Sequence, residues 1–270
     1  MIVALFGAVI LAASSLPVQP AGAAVPFRTA QPGTFRGAGF DACSAPSTAA
    51  MKAWRKSSPY RAVGIYLGGA NRACAQPNLT AAWVKEQVRI GWRLVPFYVG
   101  PQATCTTASG NRAPIDNAHA GAQGSAAAAG AVAQAARLGL GRKSVIIYDM
   151  EAYRTNDPAC RRGVLAFMQG WTARLHRLGY FSGFYCSVNS GIRDQVAHYS
   201  TAGYARPDYL ALARWDRKVT VADPVIPSAA WPGHRRMKQY RGGHRETWGG
   251  VTINIDNDYL DFAVPPARNR

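Results

Sequence analysis

Residues Ser144–Tyr153 read SVIIYDMEAY. A continuous β-branched run ending in acids is the mark of a strand buried on both faces, as in a parallel sheet. On such a strand Val145, Ile147 and Asp149 share one face with Glu151 beyond them, so two carboxylates project from the end of an apolar column. Working outward, further short apolar runs alternate with helical patterns. Strands are expected over Gly37–Cys43, Ala62–Gly69, Arg93–Gly100, Phe181–Ser187, Asp208–Trp215, Met237–Tyr240 and Val251–Asp258. Helices are expected over Pro46–Ser57, Asn78–Ile90, Ala118–Leu138, Arg161–Leu178 and Ser190–Tyr199, with Asn78 as an N-cap candidate. Strands separated by helices give parallel βαβ units, and eight of them favour one closed (β/α)8 TIM-type barrel, an α/β fold whose last three units are less regular. No GxGxxG follows the first strand and no Walker A motif is present, which excludes dinucleotide and P-loop folds.

The 270 residues divide as an apolar leader over 1–24, a linker over 25–36, the barrel over 37–264 and a tail over 265–270. The leader has no charged side chain, carries the apolar run Ile2–Ala13 and ends in small residues, the pattern of a signal peptide cleaved near Ala23 or Ala24. The run is too short for a comfortable membrane span, so no stable span is expected after processing. Five cysteines, with no CxxC pair, suit an exported protein. A Cys74–Cys105 bridge is expected because both residues follow neighbouring strands, the second and third.

The chain holds 31 Lys and Arg against 14 Asp and Glu, a net charge of +17. The basic residues are scattered and no nucleic-acid-binding motif accompanies them, so the expected partner is an anionic wall polymer and no nucleic acid. Among the scarce acids, five sit at the ends of three strands: Asp41, Asp149, Glu151, Asp256 and Asp258. Carboxylates crowded into one cleft cannot all ionise, which leaves a proton donor at neutral pH beside an anion. That is the equipment for cutting a glycosidic bond. Tyr66, Tyr98, Tyr185, Trp215, Gln239 and Asp258 lie at or near strand ends and are expected to contact a sugar. No GxSxG elbow and no HExxH motif is present, and neither metal nor cofactor is expected.

The segments GFDACSAPS, GIYLGGANRAC, PFYVGPQ, YDMEAY, SGFYCSVNSGI, KQYRGGHRETWGG and INIDNDYLD, in this order from Gly37 to Phe262, resemble an actinobacterial secreted family of glycoside-hydrolase-like proteins of unknown function. That family is similar in architecture to the family 25 lysozymes, which cut the glycan of peptidoglycan. The resemblance implies an Asp on the first strand, matched by Asp41. It implies D-x-E on the fourth, matched by Asp149 and Glu151 with Glu151 as the acid, and a late Asp, matched by Asp256. The glycine-rich Tyr240–Gly250 segment and the loop cysteines depart from the lysozyme pattern. The expectation is a secreted or wall-associated monomer that hydrolyses cell-wall polysaccharide or peptidoglycan; the alternative is an inactive wall-glycan binding or regulatory module on the same scaffold.

Overall fold

The computed structural model describes residues 28–110 and 112–264. The leader, the first residues of the expected linker and the tail lie outside the described residues. Eight strands form one closed barrel in chain order: β1 (Phe35–Asp41), β2 (Ala62–Gly68), β3 (Arg93–Tyr98), β4 (Val145–Asp149), β5 (Phe181–Ser187), β6 (Tyr209–Ala213), β7 (Arg235–Trp248) and β8 (Val251–Phe262). Helices α1 (Thr48–Ser57), α2 (Ala81–Arg89), α3 (Ala120–Arg137), α4 (Pro158–Leu178) and α5 (Gly191–Ala197) fill the first five strand-to-strand connections.

Local chemistry sets the helix limits. Ser47, Thr80 and Asp157 accept backbone N–H groups at the starts of α1, α2 and α4, and Gly179 ends α4 in the left-handed conformation. Thr80 takes the capping role expected of Asn78, whose amide donates instead to the Ala45 carbonyl. The expected linker is packed from Arg28 onward. Gln31 is buried, its side chain accepts from Leu94 N–H, and its carbonyl accepts from Val145 N–H.

Alternation along each strand splits the core into two layers. Val95, Phe97, Val145, Ile147, Tyr209, Ala211, Met237, Leu260 and Phe262 fill the barrel. Phe40, Ile65, Leu94, Ile146, Tyr148 and Leu210 face the outer layer. On β3 this parity places Tyr98 outside, against Trp171 at 5.8 Å between ring centres. Tyr98 is therefore a core residue between sheet and helices and not the sugar contact expected of it.

The last units are irregular in a specific way. β7 and β8 form a long antiparallel hairpin, and β8 also runs antiparallel to β1. The hairpin reaches beyond the barrel onto α1, where the Trp54 indole donates to the Val251 carbonyl at 2.9 Å. Strand direction leaves no trace in a period of two, so the sequence alternation over 251–258 is the same either way.

The cysteines pair as Cys43–Cys74 and Cys105–Cys160. The expected Cys74–Cys105 bridge is corrected: Cys74 turns back to the loop after β1, and Cys105 is drawn to the first turn of α4. Each bridge ties a loop at the mouth of the barrel to the neighbouring unit. Cys186 is free and buried.

Candidate active site

The inward residues of the uppermost barrel layer are polar, and they converge on one hub. Gln239 of β7, 4% exposed, donates from Nε2 to Asp41 Oδ2 at 2.9 Å and to Asp256 Oδ2 at 3.3 Å. Its Oε1 accepts from the Tyr185 hydroxyl and the Trp215 indole, both at 2.9 Å. Tyr66 donates to Asp41 Oδ1 at 2.7 Å. Register brings β8 acids to β1: Asp256 pairs with Asp41, and Asp258 with Gly39 and with Gln239. Asp256 and Asp258 thus lie within an antiparallel strand that passes the mouth, not at the end of a parallel one. Gly64 is needed here, since a Cβ on it would come within 2.6 Å of Asp41 Cβ.

Across the mouth, Asp149 ends β4 with an 8% exposed side chain whose Oδ1 has no hydrogen-bond partner among the described residues. Beyond it the chain leaves the strand under control of Gln102, a buried side chain at the end of the PFYVGPQ segment. Gln102 Nε2 donates to the Asp149 carbonyl at 2.9 Å, and its Oε1 accepts from Glu151 N–H at 2.8 Å. The Glu151 side chain is 38% exposed.

Burial dominates the electrostatics of this layer. It holds the Asp149 carboxyl well above the usual carboxylate range, reinforced by Glu151, Asp41 and Asp256 and opposed by Arg112. Burial, with Asp41, pushes Asp256 up to about 7. Asp258 is raised by burial, then by Asp41 and Asp256. Asp41 is raised by burial while its bonds from Tyr66 and Gln239 pull the other way. Burial thus shifts all four carboxyls of the layer toward the protonated form.

Two clefts open onto this layer. One, about 220 Å³, is lined by Asp41, Tyr66, Arg72, Arg112, Asp149, Glu151 and Asp256 among others. The other, about 360 Å³ and more apolar, is lined by Glu151, Tyr185, Val188, Asn189 and Trp215 among others. Glu151 belongs to both. Trp215, 65% exposed, presents an indole backed by Gly242, where an added Cβ would come within 2.7 Å of the ring. Its neighbours fix it: Arg214 pairs with Asp223 at 2.6 Å and Asp216 with Lys238 at 2.6 Å.

The structure thus brings together Asp41, Tyr66, Asp149, Glu151, Tyr185, Trp215, Gln239 and Asp256. Asp258, 2% exposed, lies beneath the cleft and not on its wall, a correction to the expected sugar contact. Tyr98 is absent from the site for the parity reason given above. Gln102, Arg72 and Arg112 are the members that strand-end reading missed, because two are in loops without periodicity and one acts through backbone groups. Cys186 lies just below, its Sγ 3.6 Å from the Glu151 carbonyl, and burial pushes its thiol up to about 12, so it is no nucleophile. Among the described residues no cluster of His, Cys, Asp and Glu is arranged to hold a metal ion. A third cavity, about 350 Å³, opens near the starts of β6 and β7 and holds none of these acids.

The sequence pattern of the family described as "Rv2525c-like, glycoside hydrolase-like domain" matches residues 52–260. The chain belongs to this family. No curated protein matches it. The fold of this Rv2525c-like domain is similar to that of an uncharacterized B. stearothermophilus protein, with a TM-score of 0.57, 17% identity, and coverage of 83% of this chain and 95% of that one. It is also similar to the modular autolysin LytC from Streptococcus pneumoniae, with a TM-score of 0.53, 13% identity and coverage of 83% and 46%. The Clostridium perfringens spore cortex lytic enzyme SleM gives 0.50, 14%, and 83% and 67%. The Rv2525c-like domain thus has the α/β barrel of glycoside hydrolase-like proteins.

Proposed function

We propose that this domain hydrolyses a glycosidic bond in a bacterial cell-wall glycan, with Glu151 as the general acid. The observation that carries the reading is the position of Glu151 on the boundary of two clefts. A glycan laid through both would put its scissile linkage at that carboxyl, with a sugar on each side. Trp215 supplies an apolar platform for one sugar. Asp256, near neutrality and open to the other cleft, is the second carboxylate, which stabilises the cationic transition state or activates water. Asp149, its carboxyl pKa raised by burial, backs Glu151 on the wall of the same cleft. Gln239, itself anchored on Asp41, holds Asp256 in place. No protein residue in this scheme calls for a metal or cofactor.

Two disulfides and the apolar leader support export, and the lytic enzymes with the same fold support a wall substrate. Among the described residues no helix is long and apolar enough to cross a membrane. We infer a monomer acting outside the cell. Release of reducing ends from purified peptidoglycan tests the reading. Glu151→Gln should lower the rate by about 10³-fold with an unchanged melting temperature. Wall binding without any released ends, in wild type and variant alike, would replace hydrolysis by the binding-module alternative.

A further inference from the structure

Two guanidinium groups in the smaller cleft are left over from the scheme above. Arg72 follows β2, and Arg112 is in the long loop after β3. They come from different loops, yet one residue locks those loops together beside them. The Asn71 side chain donates to the carbonyls of Gly100 and Ala113, at 2.9 and 3.0 Å, and accepts from Ala113 N–H at 2.9 Å. Asn71 precedes Arg72 and Ala113 follows Arg112, so this clasp fixes the backbone at both arginines. The Cys43–Cys74 bridge holds the first loop two residues further on, and the Cys105–Cys160 bridge holds the second.

The side chains inside this clasp are underused. Elsewhere basic groups close tightly on acids: Arg161–Asp194 at 2.7 Å, Arg214–Asp223 and Lys238–Asp216 at 2.6 Å. Arg112 comes only to 4.0 Å from Glu151, and its Nε is spent on the Ser109 carbonyl at 3.2 Å. Arg72 has no ion pair among the described residues and makes one long bond, 3.4 Å, to the Leu67 carbonyl. Arg112 thus acts on Asp149 and Glu151 through space and leaves its terminal donors without hydrogen bonds to them. Two guanidinium groups on a fixed backbone, with unspent donors lining one cleft, are the arrangement that receives a planar or tetrahedral anion.

We propose that Arg72 and Arg112 form an anion subsite that selects a glycan bearing a carboxylate or phosphate group on the sugar next to the bond presented to Glu151. The inference rests on reading the cleft as a glycan site and names the class of glycan. It also gives the net charge of +17 a local counterpart, since an anionic polymer drawn to the protein as a whole finds one defined place for its charge.

Calorimetric binding to the full chain tests this, in a Glu151→Gln background so that no probe is consumed. The probes are chitotetraose, which is neutral; a peptide-free tetrasaccharide of alternating N-acetylglucosamine and N-acetylmuramic acid, which carries free carboxylates; and a glycerol phosphate oligomer, which carries phosphodiesters. One of the two anions should bind at least tenfold tighter than chitotetraose. Arg72→Gln and Arg112→Gln should each cost that anion about tenfold, and the double variant should erase the preference. Chitotetraose affinity should stay within twofold, and thermal melting should be unchanged. Arg112→Lys should keep part of the preference. The anion whose binding depends on the arginines identifies the source of the charge. Absence of any anion preference, or a preference that survives the double variant, overturns the subsite. Hydrolysis is read separately as reducing ends released by the wild-type chain. An inactive protein with arginine-dependent anion binding would sink the hydrolase reading and keep this one.

Discussion

From β1 to β5 each strand is followed by a helix, and the layer between them is apolar. Tyr148 of β4 packs on Phe167 and Trp171 of α4, with ring centres 4.8 and 4.9 Å apart, and all three are fully buried. From β6 onward helices are absent among the described residues between β6 and β7 and between β7 and β8. There the outward face of β7 carries Lys238, 1% exposed, which is neutralised by Asp216 of a covering loop. One half of the barrel is closed by packing and the other by charge and a hairpin. The packed half holds Asp41, Asp149 and Glu151 on stiff supports. The charged half holds Gln239, Asp256 and Trp215 on a loop and a ribbon that can be adjusted without rebuilding the core. The two halves meet at the clefts, Asp149 and Glu151 from one side and Gln239, Asp256 and Trp215 from the other.

The contrast can be broken by variants on each side. Trp171→Ala opens a large cavity in the packed half and should cost about 4 kcal/mol, read as a lower midpoint in denaturant that is insensitive to salt. Asp216→Ala leaves Lys238 buried and unpaired and should cost about 3 kcal/mol. Lys238→Met in the same chain should recover most of that loss, because the unpaired charge is then gone. Absence of that recovery would erase the distinction between the halves. Trp215→Ala, on the adjustable side, should weaken binding of chitotetraose about tenfold, near 1.4 kcal/mol. Its melting temperature should hold, because the ring is mostly exposed. The last test concerns the buried carboxyls. The folded chain holds Asp256 at about 7, above its unfolded value near 3.8, so folded protein binds more protons in that window. Stability contributed by that proton is present at low pH and falls as pH rises from about 4 to 7. Melting temperature should therefore decline over this range, and Asp256→Asn should flatten the decline by a few degrees.

Much of this was written in the residues themselves, and the omissions have physical causes. The barrel followed from VIIYD and its companions because a buried parallel strand must be apolar on both faces. Asp149 and Glu151 followed from the break in that pattern. Tyr98 was misplaced although the parity of Val95 and Phe97 already assigned it to the outer face. The direction of β8 was hidden because side-chain alternation is blind to polarity of the chain. Disulfide partners, Gln102 and the Asn71 clasp depend on which loops meet over the mouth, and loops carry no period from which a meeting can be read.

Cys186 gives this architecture a clock. Its thiol lies buried between β5 and the start of α5, 3.4 Å from the Ser190 hydroxyl and 3.6 Å from the Glu151 carbonyl. A water-soluble thiol reagent can reach it only when α5 parts from the sheet. At reagent concentrations where reaction outpaces closing, the rate of labelling is the frequency of that opening, counted by an atom the protein carries already.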